Sequence, residues 1–149
     1  MLWLSSEIKF FCATKAFIVH KGKVLILRES TKYSDGTQVG KYDIPGGRMK
    51  PGETWQENLL REIKEETGIA IQIGDPISVG EWRPVVKREQ WQIVAMFFEC
   101  FAESDKVVLS EDHDSFLWID PKEYKNYPMP PKNLPAFEKY VTLLNSRLA

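Results

Sequence analysis

The chain has 149 residues, with 20 basic and 21 acidic side chains, a net charge of −1, and 43% of its residues hydrophobic. This fits one globular domain over residues 1–149, long enough to bury a core. The balanced charge excludes bulk electrostatic binding to nucleic acid, so a polyanionic small molecule would need a metal or a few placed cations.

Leu2, Trp3 and Leu4 open the chain, but Glu7 and Lys9 interrupt any apolar stretch. No run approaches the ~20 residues of a membrane span, and the basic flank and apolar core of a signal peptide are missing. A cytoplasmic location without a membrane partner follows as the expectation. Cys12 and Cys100 each sit in an apolar run without metal-ligand spacing, and read as free thiols of a reducing compartment.

Phe10 to His20 and Val24 to Leu27 are apolar runs joined by Lys21-Gly22-Lys23, which predicts a hairpin. Glu29 to Lys41 is polar and predicts a loop, with a turn at Ser34-Asp35-Gly36 and a lip at Tyr33 to Thr37. Tyr42 to Gly47 is a short extended piece ending in a glycine turn, and Pro51-Gly52 marks another turn. Thr54 to Thr67 predicts a helix, with Trp55, Leu59, Ile63 and, more loosely, Leu60 on its apolar side and Gly68 as its stop. Strands are expected at Ile69 to Ile73, Ile77 to Trp82, Trp91 to Phe101 and Phe116 to Ile119, with one helical turn at Pro121 to Tyr124. Tyr127 to Pro135 is Pro-rich and irregular, and Ala136 to Leu148 predicts a closing helix. Strands of this number with two helices suggest a sheet sandwiched by helices.

The central helix carries an electrostatic anomaly. Glu62, Glu65 and Glu66 stand at i, i+3 and i+4 and share one face. Like charges at that spacing cost about 0.2–0.5 kcal/mol per pair, and glutamates near a helix C-terminus also oppose the macrodipole. Two explanations remain open on the helix alone. One is a solvated acidic face relieved by Arg61 and Lys64. The other is a site for a hard divalent cation, which binds carboxylate oxygens and shares its coordination with phosphates. Gly46-Gly47 lets the backbone approach a ligand, and Glu53 stands where the helix opens.

Gly47, Glu53, Arg61, Glu62, Ile63, Glu65, Glu66, Gly68 and Ile69 fill every defined position of the pattern G-x5-E-x7-R-E-U-x-E-E-x-G-U, where U is a bulky aliphatic residue. In this the chain resembles the Nudix hydrolases. The resemblance implies an α/β fold, an α/β/α sandwich with a mixed β-sheet. It implies Mg²⁺, or Mn²⁺, held by Glu65, Glu66, Glu62 and the Gly46 carbonyl, with Glu62 a further ligand or a general base. Arg61 would orient a glutamate, and Glu53 would be structural or supportive. The implied reaction is attack of water on a nucleoside diphosphate linked to another group, with the metal neutralising pyrophosphate oxygens and acidifying the water.

Family members differ in where the base lies. Here Ser110 to Asp114 is the second candidate region: His113 and Trp118 match a recurrent Glu-His…Trp arrangement, Asp112, a further candidate metal ligand, stands where Glu is common, and Glu111 could replace it. For the substrate, Arg83, Lys87 and Arg88 flank an expected hairpin turn around Pro84 and could meet phosphates. Trp82, Trp91, Phe97 and Trp118 could stack on a base, although aromatics in strands are more often core. The leading expectation is hydrolysis of a nucleoside triphosphate, ordinary or oxidised, to the monophosphate and pyrophosphate, by a monomer or homodimer. The alternatives are an ADP-ribose or nucleotide-sugar pyrophosphatase, and a non-catalytic nucleotide- or RNA-binding module.

Overall fold

The computed structural model describes residues 7–148, so Leu2, Trp3 and Leu4 lie outside the described residues. The elements run β1 (Ile8–His20), β2 (Lys23–Glu29), β3 (Tyr42–Asp43), β4 (Gly46–Arg48), α1 (Trp55–Thr67), β5 (Ile71–Trp82), β6 (Val85–Val86), β7 (Glu89–Ala102) and β8 (His113–Ile119). Two 3₁₀ segments, Pro121–Asn126 and Pro131–Asn133, lead into α2 (Leu134–Ser146). The strands form one mixed sheet in the order β3-β2-β1-β7-β5, with β4 added to β1, β6 to β7 and β8 to β2. β1 and β7 run parallel from Ile8↔Gln90 to Val19↔Phe101.

Strand alternation divides the core between the two faces. Phe17, Ile26, Trp91 and Phe97 point to the face covered by Phe137 and Tyr140 of α2. Ile18, Leu25, Leu27 and Cys100 point to the opposite face, covered by Leu59 and Ile63 of α1. The result is the expected helix–sheet–helix sandwich. On the α2 side Glu99, in β7, accepts hydrogen bonds from Tyr140 (2.7 Å) and from both terminal nitrogens of Arg147 (2.8 and 2.9 Å), which fastens the last helix to the sheet.

The predicted hairpin forms, but β1 and β2 pair only at Val19↔Val24 and His20↔Lys23. Beyond that the strands fork. β4 takes the edge of β1 at Ala13 to Lys15, and β3 pairs with β2 at Leu27 and Arg28. Residues 42–48 therefore bridge the fork, and the glycine pair is delivered there.

Helix α1 begins as a capping box: Glu57 N–H donates to Thr54 Oγ1 and Thr54 N–H donates to Glu57. It ends where Gly68 turns left-handed (φ 71°) and its N–H reaches the Lys64 carbonyl. Leu60, loosely assigned to the apolar side, is 45% exposed, one position off the buried stripe of Leu59 and Ile63. Asn58 is fully buried instead. Its amide donates to the Arg48 carbonyl (2.9 Å) and its oxygen accepts from the Thr14 hydroxyl, stapling α1 to β4 and β1. Asn58→Ala should cost about 2–3 kcal/mol, because it leaves buried polar partners unpaired. Chemical denaturation checks this; an unchanged midpoint would contradict the staple.

Other differences are local. The two strands expected over residues 69–82 are one strand, β5, whose register shifts around Pro76, a residue without an N–H for the ladder. β8 starts at His113 rather than Phe116, because its pairing with β2 continues through a bulge to Glu29↔His113. α2 starts at Leu134, since Pro135 is tolerated in a first turn. The hairpin expected around Pro84 turns instead at Lys87-Arg88, with Val86↔Glu89 closing it.

Candidate active site

A cleft of about 420 Å³ opens at the fork, between the loop after β2, the Gly46–Arg48 strand, the acidic face of α1 and the β6–β7 hairpin. Gly46 (φ 137°) lies so close to β1 that a Cβ would fall 2.1 Å from the Thr14 carbonyl oxygen. At Gly47 a Cβ would fall 2.6 Å from the Glu62 carboxylate. The glycine pair thus presses backbone onto β1 on one side and leaves room for a carboxylate on the other.

Arg61 organises the acidic face. Its Nε and Nη2 donate to Glu53 (3.0 and 2.8 Å), and its Nη1 donates to Glu62 (3.1 Å) and Glu65 (3.2 Å). Arg61 hydrogen bonds hold the Glu53 carboxyl down at about 2. Glu53 precedes the Thr54 cap, so it clamps Arg61 rather than opening the helix. Lys64, expected to relieve the glutamates, reaches the Gly68 carbonyl (3.3 Å) at the helix end. Glu66 accepts a hydrogen bond from Gly46 N–H (3.0 Å), and its enclosure in the cleft pushes its carboxyl up to about 8, against the nearby Lys15 charge. Burial also raises the Glu62 carboxyl, with Arg61 opposing.

A second charged group adjoins the first. Lys15, 6% exposed in the middle of β1, donates to the Ile44 carbonyl (3.0 Å) and Asp43 (3.3 Å). Burial works against its ammonium charge, but Asp43 and Glu66 outweigh that and raise its pKa. Asp43 also accepts from Asn133 (2.9 Å) and pairs with Lys132 (3.5 Å). Burial opposes the Asp43 charge, yet Lys132 and Lys15 hold its carboxyl far below the usual range. The Lys132 ammonium stands 4.7 Å from the centre of the Trp82 ring. Lys15, Asp43, Lys132 and Asn133 were not singled out in the sequence. A lysine inside an apolar strand was a usable signal for Lys15; nothing in the Pro-rich stretch marked Lys132 and Asn133.

Of the residues expected at the site, Gly46, Glu62, Glu65, Glu66, Arg83 and Asp112 line this one cleft, with Arg61 bonded behind them. His113 lines it too; burial lowers its pKa, and its Nδ1 is buried without a partner among the described residues. Lys87 stands outside the lining, at 3.5 Å from Asp35. Arg83 is paired with Glu81 (2.9 Å). Glu111 is exposed and does not line the cleft. Trp118 is also elsewhere: its N–H donates to the Asp105 carbonyl (3.2 Å) and its ring packs on the α1-side core beside His20. Trp82 and Trp91 line the cleft, whereas Phe97 is pure core.

Among the described residues no three His, Cys, Asp or Glu side chains already converge on one point. The glutamate oxygens are turned to Arg61 and to Gly46 N–H. The donor set nevertheless fits a hard divalent cation: three carboxylates on one helix face, a carboxyl made hard to ionise by its surroundings, and space above Gly47 already filled by Glu62 oxygens.

Residues 13–140 match the model of the NUDIX domain. The chain belongs to the Nudix family. This Nudix chain is 25% identical over 134 residues to the CTP pyrophosphohydrolase of Escherichia coli (strain K12), covering 90% of this chain and 93% of that protein. It is 28% identical over 102 residues to the nucleoside triphosphatase NudI of Escherichia coli (strain K12 / DH10B), covering 63% of this chain and 72% of the relative. Among solved structures it resembles the MutT protein from Methanosarcina mazei Go1, with TM-score 0.79, 29% identity, and 93% of this chain and 97% of that chain covered. The Nudix family and these homologues make the protein a pyrophosphohydrolase. Among the described residues no helix is long and apolar enough to cross a membrane.

Proposed function

We propose that the protein hydrolyses a nucleoside triphosphate to the monophosphate and pyrophosphate. The observation that carries this is one cleft in which the carboxylates of Glu62, Glu65 and Glu66 stand with Lys15, Arg48, Arg83 and Lys132, beside the rings of Trp82 and Trp91. A triphosphate needs cations, and its base needs an apolar platform. Two relatives whose names specify triphosphate or CTP hydrolysis support the same reading.

Glu65 and Glu66, with the Gly46 carbonyl, would hold Mg²⁺ or Mn²⁺, with Glu62 a further ligand or the general base, and Asp112 stands in the same cleft as a further donor. The cation supplies charge neutralisation at the pyrophosphate oxygens and acidifies water. Arg61 keeps Glu62 and Glu65 in place through charge-assisted hydrogen bonds. As the base, Glu62 would accept the proton of the attacking water. Lys15, fixed by Asp43, sets positive charge beside Glu66.

Arg61→Ala should lower kcat by roughly 10–100-fold, the usual cost of losing a residue that orients ligands. Steady-state kinetics with Mg²⁺ in excess checks this, and wild-type kcat would remove Arg61 from the account. A panel of nucleoside triphosphates, ADP-ribose and nucleotide sugars tests the substrate class. Monophosphate and pyrophosphate are the expected products. Preference for ADP-ribose or a nucleotide sugar, or binding without turnover, would overturn the reading.

A further inference from the structure

Arg48, which lines the cleft, and Lys87, just outside its lining, are answered by one carboxylate that has no part in the acidic face of α1. Asp35, in the loop after β2, accepts from Arg48 Nη2 (2.6 Å) and pairs with Lys87 Nζ (3.5 Å). Asp35 and Arg48 both line the cleft that holds Glu62, Glu65 and Glu66. The two cations come from different elements, β4 and the β6–β7 turn. Convergence of independent cations on one carboxylate is how an anion site is built.

Arg48 does not depend on Asp35 for its position. The Arg48 guanidinium lies 5.1 Å from the centre of the Phe11 ring and 4.6 Å from that of Trp91, which holds it in cation–π contact from the core side. Lys87 and Arg88 occupy the hairpin turn with φ of 49° and 66°. Left-handed backbone at two successive residues favours Asn and Gly, so placing basic residues there carries strain of the kind found at ligand-binding positions. The loop also has ties that do not involve the Asp35 side chain. Gly36 N–H reaches the Tyr33 carbonyl (3.1 Å), Gly40 N–H the Glu29 carbonyl (3.0 Å) and Gln38 N–H the Glu29 carboxylate (2.7 Å).

We propose that Arg48 and Lys87 form a subsite for phosphate oxygens of the substrate, and that Asp35 occupies it as an internal competitor which the incoming polyphosphate displaces. The identity of the ligand as a triphosphate rests on the functional reading above; the competition rests on the ion pairs alone. Loss of the Asp35 charge then strengthens anion binding, whereas a residue that merely latched the loop would weaken it when lost.

The test is the Kd for inorganic tripolyphosphate with Mg²⁺, measured by isothermal titration calorimetry on the whole chain. Asp35→Asn is expected to bind roughly two- to fivefold more tightly than wild type, the scale of one partly screened charge contact. Asp35→Asn/Lys87→Met should lose that gain. An Asp35→Asn protein that binds tripolyphosphate no better than wild type, or worse, overturns the proposal. So does a double variant that keeps the full gain. If no nucleoside triphosphate is hydrolysed while Asp35→Asn still tightens tripolyphosphate, the functional reading fails and the competitor role stands.

Discussion

Glu66→Gln should lose turnover by roughly a thousandfold, ~4 kcal/mol of transition-state stabilisation, while the protein stays folded. The carboxamide oxygen can still accept the Gly46 N–H bond, so the local backbone is kept. What is lost is the negative charge that a divalent cation would use. The same substitution has a signature without metal. Enclosure raises the Glu66 carboxyl to about 8, above its unfolded value of 4.5. Between those values the folded state binds more protons than the unfolded one, so stability falls as pH rises. That contribution is complete below 4.5 and lost above about 8. We expect metal-free wild type to lose about 2 kcal/mol across that window, after allowing for solvent reaching the cleft, and Glu66→Gln to lose less. Melting curves in EDTA from pH 5 to 8.5 check the slope, and kinetics check the turnover. A Glu66→Gln enzyme with near wild-type kcat would remove Glu66 from the metal set.

Gly46→Ala should destabilise the fold itself, by ~4 kcal/mol or more. The new methyl would stand 2.1 Å from the Thr14 carbonyl oxygen and 2.7 Å from Lys15 Cα, both backbone of the central strand. Its φ of 137° also lies where non-glycine residues rarely go. Relief would require β4 to leave β1, where Lys15↔Gly46 and Thr14↔Gly47 pair. Urea denaturation measures the loss. A midpoint within a few tenths of a molar of wild type would show that the fork is looser than its geometry implies.

These two residues illustrate what was legible in the sequence. Helix α1, its glycine stop and its row of glutamates are local features, written in neighbours three and four residues apart. Their pattern was enough to anticipate the family and the sandwich. The partners of that row come from far along the chain. Lys15 is brought to Asp43 by the fork between β1 and β2, and Lys132 and Asn133 arrive from the approach to α2. No local periodicity encodes such meetings. Trp118 shows the opposite error: its place after an Asp-His pair suggested the site, but strand alternation turned its ring to the α1-side core, leaving Trp82 and Trp91 to line the cleft. The Lys87-Arg88 turn was missed because Pro84 is the stronger turn signal, while the left-handed residues that make the turn are not the usual glycine and asparagine.

The most direct test is ³¹P NMR of the common nucleoside triphosphates, each incubated with the purified protein with Mg²⁺ and then with EDTA. The expected result is monophosphate and pyrophosphate in equal amounts from at least one of them with Mg²⁺, and intact triphosphate in EDTA. All triphosphates unchanged under both conditions, or release of a diphosphate and orthophosphate, would contradict it.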